Sequence, residues 1–229
     1  MPDPLNTIAS KTTGLGTAKI LLDIKAVNFR PEEPYILTSG WASPVYIDCR
    51  KLISYPGERK QVMKLAVAQL DKDVGFEKID AVAGGETAGI PYSAWIAQAT
   101  DKSMLYVRKK PKGFGRHAQI EGDLGEGSQV LLVEDLATDG ASKILFVNAL
   151  REAGAVVTDC FCVFYYGIFE GALEALEGEG LSLHYLATWH DVLKVAEAGD
   201  YFSSQAIDGV REFLNDPAAW SKANGGKAA

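Results

Sequence analysis

The run Val130-Leu131-Leu132-Val133 constrains this chain more than any other feature. Four branched apolar residues in succession leave no polar side for water, which fits a strand covered on both faces. Similar apolar stretches recur along the sequence, each followed by residues at helical spacing. Strands are predicted at 79–83, 104–108, 129–133, 156–164 and 181–187, and helices near 89–99, 142–153, 169–177, 189–198 and 204–214. Regular alternation of strand and helix predicts an α/β fold, a parallel sheet flanked by helices, with ligands outside the carboxyl ends of the strands.

The segments on either side read differently. Residues 1–17 are polar and rich in Thr and Gly, a flexible arm, whereas Ile20, Leu21, Ile24 and Val27 recur at helical spacing. Pro31 and Pro34 then break the chain, and Tyr35-Ile36-Leu37 and Val45-Tyr46-Ile47 read as strands around the turn at 38–44. A helix is predicted over 58–70, with Val62, Leu65, Ala66 and Leu70 on one face. No linker composition divides residues 18–214, which are expected to form a single domain with a hood at about 18–55. The tail at 215–229 has little to bury.

The predicted strand ends carry the chemistry. Val130–Val133 runs into Glu134 and Asp135, followed by Leu136, Ala137, Thr138, Asp139, Gly140, Ala141 and Ser142 at the start of a predicted helix. Backbone N–H groups of such a turn, the helix N-terminus and the Thr138 and Ser142 hydroxyls suit one phosphate, and the carboxylates suit adjacent sugar hydroxyls. A strand-end acidic pair before a capped helix is common on its own; the whole run is far more specific. After another strand, the glycines of Gly84-Gly85-Glu86-Thr87-Ala88-Gly89 permit close backbone approach to a second phosphate group.

After a third strand comes Arg108-Lys109-Lys110-Pro111-Lys112-Gly113-Phe114-Gly115-Arg116-His117, with five positive charges and no acid. Net charge over the chain is −7, so this basic island suits a compact anionic ligand, and the acidic remainder argues against nucleic acid or a membrane surface. A P-loop is ruled out because no Gly-Lys-Ser/Thr occurs, and Gly125-Glu126-Gly127 precedes a strand and lacks the third glycine of a dinucleotide fingerprint. Three cysteines, Cys49, Cys160 and Cys162, read as reduced, buried small hydrophobes. Three histidines, His117, His184 and His190, build no metal cluster. With no long apolar span, the expected setting is the cytoplasm.

Together these segments resemble type I phosphoribosyltransferases, and specifically the orotate phosphoribosyltransferases. Residues 134–142 are similar to the family's signature for phosphoribosyl pyrophosphate (PRPP), Arg108-Lys109 with Lys112 to its catalytic loop, and Thr38-Ser39-Gly40 with Ser43-Pro44-Val45-Tyr46-Ile47-Asp48 to its base-binding hairpin. The resemblance implies the type I fold with an N-terminal hood, and transfer of phosphoribosyl from PRPP to orotate in pyrimidine synthesis. It assigns Lys109, Lys112 and Asp135 to catalysis. PRPP falls to Arg108, Lys109, Lys112, Glu134, Asp135, Leu136, Ala137, Thr138, Asp139, Gly140, Ala141, Ser142, Glu86 and Thr87, and orotate to Thr138, Tyr46 and Ile47. It further implies Mg²⁺ held through substrate and water without a direct protein ligand. A homodimer is implied, with loop 109–117 shared across subunits.

The sequence departs from the family pattern at four places. Thr38 stands where many members have Lys, and Phe114 where many have His, with His117 three residues on. Tyr165-Tyr166-Gly167 replaces an Asp-Arg, and Asp139 replaces a small neutral residue. Transfer to another base, prompted by Thr38 and the missing arginine, and a PRPP-sensing regulator remain as alternatives.

Overall fold

Eight α-helices and ten strands are present in a computed structural model that describes residues 4–37, 39–112 and 119–227. In chain order they begin α1 (Pro4–Asp23), β1 (Val27–Phe29), β2 (Tyr35–Ile36), β3 (Ala42–Ser43), β4 (Val45–Ile47) and α2 (Pro56–Asp73). Next come β5 (Ala81–Gly85), α3 (Gly89–Thr100), β6 (Ser103–Val107), β7 (Ile120–Glu121), β8 (Gln129–Ala137) and α4 (Ala141–Glu152). The series ends with β9 (Val156–Tyr165), α5 (Ala172–Gly178), β10 (Ser182–Thr188), α6 (Trp189–Ala198), α7 (Ser204–Asn215) and α8 (Pro217–Ala223). The chain divides into two compact units, one of Met1–Tyr55, Tyr166–Phe169 and Ala187–Ala229, the other of Pro56–Tyr165 and Glu170–Leu186.

The larger unit carries the sheet, in the order β10-β9-β8-β5-β6-β7. Strand β5 pairs in parallel with β6 and β8, and β8 with β9, while β7 closes the edge antiparallel to β6. Val130, Leu132, Ala83, Leu105 and Val107 pack on Phe146, Val147 and Leu150 of α4, so the apolar strands are covered as their composition requires. The expected strand at 129–133 continues through the acidic pair to Ala137, because β9 runs alongside and pairs with Glu134, Leu136 and Ala137.

The other unit departs furthest from expectation. Helix α1 begins at Pro4 and runs through the segment read as a flexible arm. Thr and Gly are poor helix formers, but tertiary packing overrides that preference: Thr17 and Ala18 are fully buried, and a Cβ on Gly14 would stand 2.8 Å from Asp191 Oδ1. Asp191 is itself the N3 partner of the Thr188 capping box on α6, so Gly14 makes room for a helix cap. Val45–Ile47, expected to pair with the strand before the turn, pairs instead with β1, and β2 pairs with Ala42–Ser43. Val27, read as the last apolar residue at helical spacing, therefore opens a strand.

Phe29 of β1 stacks on Phe202 at 4.2 Å and meets Trp189, which takes the ring of Tyr166 edge-on at 5.4 Å. The tail is tied down as far as Lys227. Ser221 of α8 is buried, accepts the Ala42 N–H at 3.0 Å and donates to the Lys227 carbonyl at 2.7 Å. The Lys227 N–H in turn donates to the Gly40 carbonyl at 2.9 Å. Among the described residues no helix is long and apolar enough to cross a membrane.

Candidate active site

Parallel pairing places three segments side by side. Gly85 ends β5 opposite Val107 of β6, and Gly84 lies opposite Val133 of β8. The turns at 84–89, 108–112 and 134–142 therefore leave from adjacent strands at one carboxyl edge, where ligands bind in open α/β sheets. Glu86 joins two of them. Its N–H donates to the Val107 carbonyl and its Oε2 accepts the Lys109 N–H, both at 2.8 Å. The Glu86–Thr87 peptide is cis, and Thr87 is exposed.

The acidic pair divides between two environments. Successive strand residues point to opposite faces. Asp135 is half-buried, whereas Glu134 is only 8% exposed and its Oε1 is buried without a hydrogen-bond partner. Burial pushes the Glu134 carboxyl up to about 8, against the opposing charge of Lys143. The glycines expected to admit a phosphate make room for this acid. A Cβ on Gly85 would lie 1.7 Å from Glu134 Oε1, and one on Gly89 would lie 2.8 Å from it.

Beyond the pair, Leu136 and Thr138 are half-buried, Ala137 and Gly140 are buried, and Asp139, Ala141 and Ser142 are exposed. Gly140 has φ +83°, a left-handed conformation that brings the chain onto α4 with Leu176 against its Cα. Asp139 does not simply face solvent. Its Oδ1 accepts the Ala141 N–H at 3.1 Å and the Thr138 hydroxyl at 3.4 Å, so it occupies a first-turn N–H of α4.

The basic segment is pinned at its root. Arg108 exchanges hydrogen bonds with Gln119, at 2.8 Å to the Gln119 carbonyl and 3.1 Å from its side chain. Both Lys112 and, at 3.5 Å, Arg108 pair with Glu121, whose carboxyl the Lys112 bond draws below its ordinary value. The groups expected to meet pyrophosphate thus rest on an acid of β7. Lys109 is exposed. Thr38, Gly113, Phe114, Gly115, Arg116 and His117 lie outside the described residues.

In the other unit, Tyr46 is half-buried with its ring 5.3 Å from that of Tyr35, and Ile47 is buried, leaving its backbone as the polar group it can offer. Tyr166, in the stretch that replaces the family's Asp-Arg, is buried in the aromatic cluster. Burial raises its hydroxyl well above the usual phenol range.

One residue of the site escaped sequence reasoning. Lys143 is 3% exposed, its N–H donates to the Gly140 carbonyl at 2.9 Å, and its Nζ donates to the Leu136 carbonyl. The signal for it is a lysine at the first position of an apolar stripe, followed by Phe146, Val147 and Leu150 three, four and seven residues on.

No family model matches the chain. An orotate phosphoribosyltransferase of Sinorhizobium fredii is 54% identical over 209 residues, 91% of this chain and 90% of that protein. The chain belongs to the orotate phosphoribosyltransferase family. A solved orotate phosphoribosyltransferase from Aeropyrum pernix superposes with a TM-score of 0.69 at 32% identity, covering 80% of this chain and 99% of that one. The Mycobacterium tuberculosis orotate phosphoribosyltransferase in complex with PRPP gives 0.59 at 26% identity, over 77% and 98% of the two chains. Orotate phosphoribosyltransferases therefore share with this chain the type I fold, a largely parallel sheet flanked by helices.

Proposed function

We propose that this protein transfers the 5-phosphoribosyl group of PRPP to orotate, forming orotidine 5′-phosphate and pyrophosphate in pyrimidine synthesis. The observation that carries the reading is the meeting of the 84–89, 108–112 and 134–142 turns at one sheet edge, in a chain so similar to orotate phosphoribosyltransferases. In the transfer, the bond from ribose C1 to the pyrophosphate oxygen breaks, the bond from C1 to orotate N1 forms, and N1 loses its proton. Charge grows on the leaving pyrophosphate, so catalysis consists largely of meeting that charge.

Asp135 and Glu134 are the groups for the ribose hydroxyls. Turn 137–142 receives the 5-phosphate on its N–H groups and on the Thr138 and Ser142 hydroxyls. Lys109, with Arg108 and Lys112 once released from Glu121, closes over the pyrophosphate beside Glu86 and Thr87. Thr138 and the backbone at Tyr46 and Ile47 are the candidates for orotate.

The donor set suits Mg²⁺ as its cofactor. The ion would be held by substrate oxygens and water beside the Asp135 carboxylate, the hard oxygen donors that Mg²⁺ takes. When bound, Mg²⁺ would neutralise pyrophosphate charge and orient the ribose hydroxyls. The chain acts as a homodimer whose 109–117 loop serves the partner's site, in the cytoplasm, a setting that suits three buried cysteines that form no disulfide.

The direct assay is loss of orotate absorbance on adding PRPP and Mg²⁺, with uracil and adenine as rival acceptors and a folded Asp135→Asn variant as control. Turnover with another base, or none with orotate, refutes the activity. Mixed Lys112→Ala and Asp135→Asn chains regain activity if the loop acts across the dimer, and stay inactive after demonstrated subunit exchange if it does not.

A further inference from the structure

Among the described residues one carboxyl group and one side-chain amine are buried, those of Glu134 and Lys143. They lie on the same strand–turn–helix unit. A buried ammonium is costly unless its donors are satisfied, and a Met or Leu would fill the stripe position of α4 without that cost. Lys143 spends its donors on the turn itself. Its Nζ donates to the Leu136 carbonyl, seven residues back at the end of β8, and lies 3.5 Å from the Ser142 hydroxyl. Tying Leu136 fixes the peptide that leads into Ala137 and Thr138, while the Lys143 N–H grips Gly140 from the other end. The turn is thereby fastened at both ends by one residue that stands behind it.

We propose that Lys143 is a positioning residue for phosphoribosyl transfer, one that sets the 136–142 turn for the ribose 5-phosphate and supplies the positive charge that Glu134 faces. The inference rests on the phosphoribosyl reading of this site. Lys143 touches no substrate; it acts through Leu136, Ser142 and Glu134. The charged groups acting on Glu134 are Lys143 from α4, Asp135 from its own strand and Lys109 from the loop after β6. Strand β5 and α3 meet it through Gly85 and Gly89. On β9, the Cys160 and Cys162 thiols are both pushed up by burial and so remain uncharged. Of these influences Lys143 opposes burial most strongly, so its removal drives the Glu134 carboxyl further up.

Two variants separate the tie from the charge. Lys143→Met keeps length and loses both; Lys143→Gln keeps a donor and loses the charge. In Lys143→Met, folded by circular dichroism, the KM for PRPP should rise about tenfold, equivalent to about 1.4 kcal/mol. The orotate KM should hold, and the acid limb of kcat/KM for PRPP should move to higher pH. Lys143→Gln should recover part of the PRPP KM and keep the displaced limb. A folded Lys143→Met with the parent PRPP KM and acid limb overturns the inference, as does an equal rise in both KM values. Should Lys143→Met not fold, Lys143→Gln decides by its acid limb, displaced in support or unmoved in refutation. If the parent chain shows no turnover with orotate, the activity reading fails instead, and PRPP affinity by calorimetry across the same variants and pH range then tests Lys143.

Discussion

Replacing Gly85 with Ala should destabilise the protein because of Glu134, and removing Glu134 should relieve much of the damage. Gly85 is not in the left-handed region, so backbone strain does not enter; the effect is one of space. Its new Cβ would stand 1.7 Å from Glu134 Oε1 and 2.7 Å from Cε2 of Phe146. The carboxylate would have to withdraw by roughly 2 Å to restore van der Waals separation. It is buried, so withdrawal disturbs its neighbours. Overpacking of this kind costs about 1–3 kcal/mol. For a chain of this length a loss of about 2 kcal/mol lowers Tm by roughly 4–8 °C. Urea denaturation of the parent, Gly85→Ala, Glu134→Ala and the double variant closes a thermodynamic cycle. The contact with Phe146 persists without Glu134, so relief is partial, and a coupling of about 1 kcal/mol is expected. Additive effects within about 0.5 kcal/mol would refute the claim that Gly85 is glycine for the sake of Glu134.

Two further outcomes follow from charges at the turn. Burial raises the Glu134 carboxyl to about 8 from its ordinary 4.5, so between those values the native state binds more protons than the unfolded one, and this group's contribution to stability falls as pH rises. Glu134→Gln cannot ionise and should gain in Tm on the parent as pH is raised through that window, with the gap flattening above it; a gap independent of pH means that Glu134 is charged throughout. Asp139→Asn keeps a cap for the Ala141 N–H while removing a charge from the 5-phosphate site, and should lower the PRPP KM about threefold to tenfold. At about 6 Å and an effective dielectric near 20 the repulsion is roughly 3 kcal/mol, discounted here because Asp139 is exposed. An unchanged PRPP KM would show that the carboxylate lies away from the phosphate.

Much of the sheet was legible because its signal is local. Apolar runs such as 130–133 have few ways to be buried, and the turns that follow parallel strands fall at the edge where ligands bind. What escaped depended on distant partners. The Thr/Gly stretch of α1 is helical because α6 stands beside it, which no propensity reports. Val27–Phe29 fits a helix end as well as a strand until β4 is there to pair with it. Both acids of the pair were assigned to ribose from the sequence, which does not report that, with β8 continuing beside β9, Glu134 is buried while Asp135 is half-buried. Lys143 drew no role from the sequence because the carbonyl that satisfies it becomes available only when the turn has closed.

The anchoring of α8 and the residues after it to the β2–β3 hairpin bears on how the molecule is made. Translation delivers Gly40 and Ala42 early and Ser221 and Lys227 near the end, yet these residues complete one another's hydrogen bonds. The sheet-bearing unit has all of its chain once Leu186 has emerged, while the other unit still lacks α6, α7 and α8. Synthesis thus imposes a sequence in which the turns at the sheet's carboxyl edge can form on the ribosome while the N-terminal strands wait with open edges. Chaperone capture of ribosome-bound nascent chains should accordingly be strongest on β1–β4, and ease only when an added C-terminal extension carries Lys227 clear of the exit tunnel.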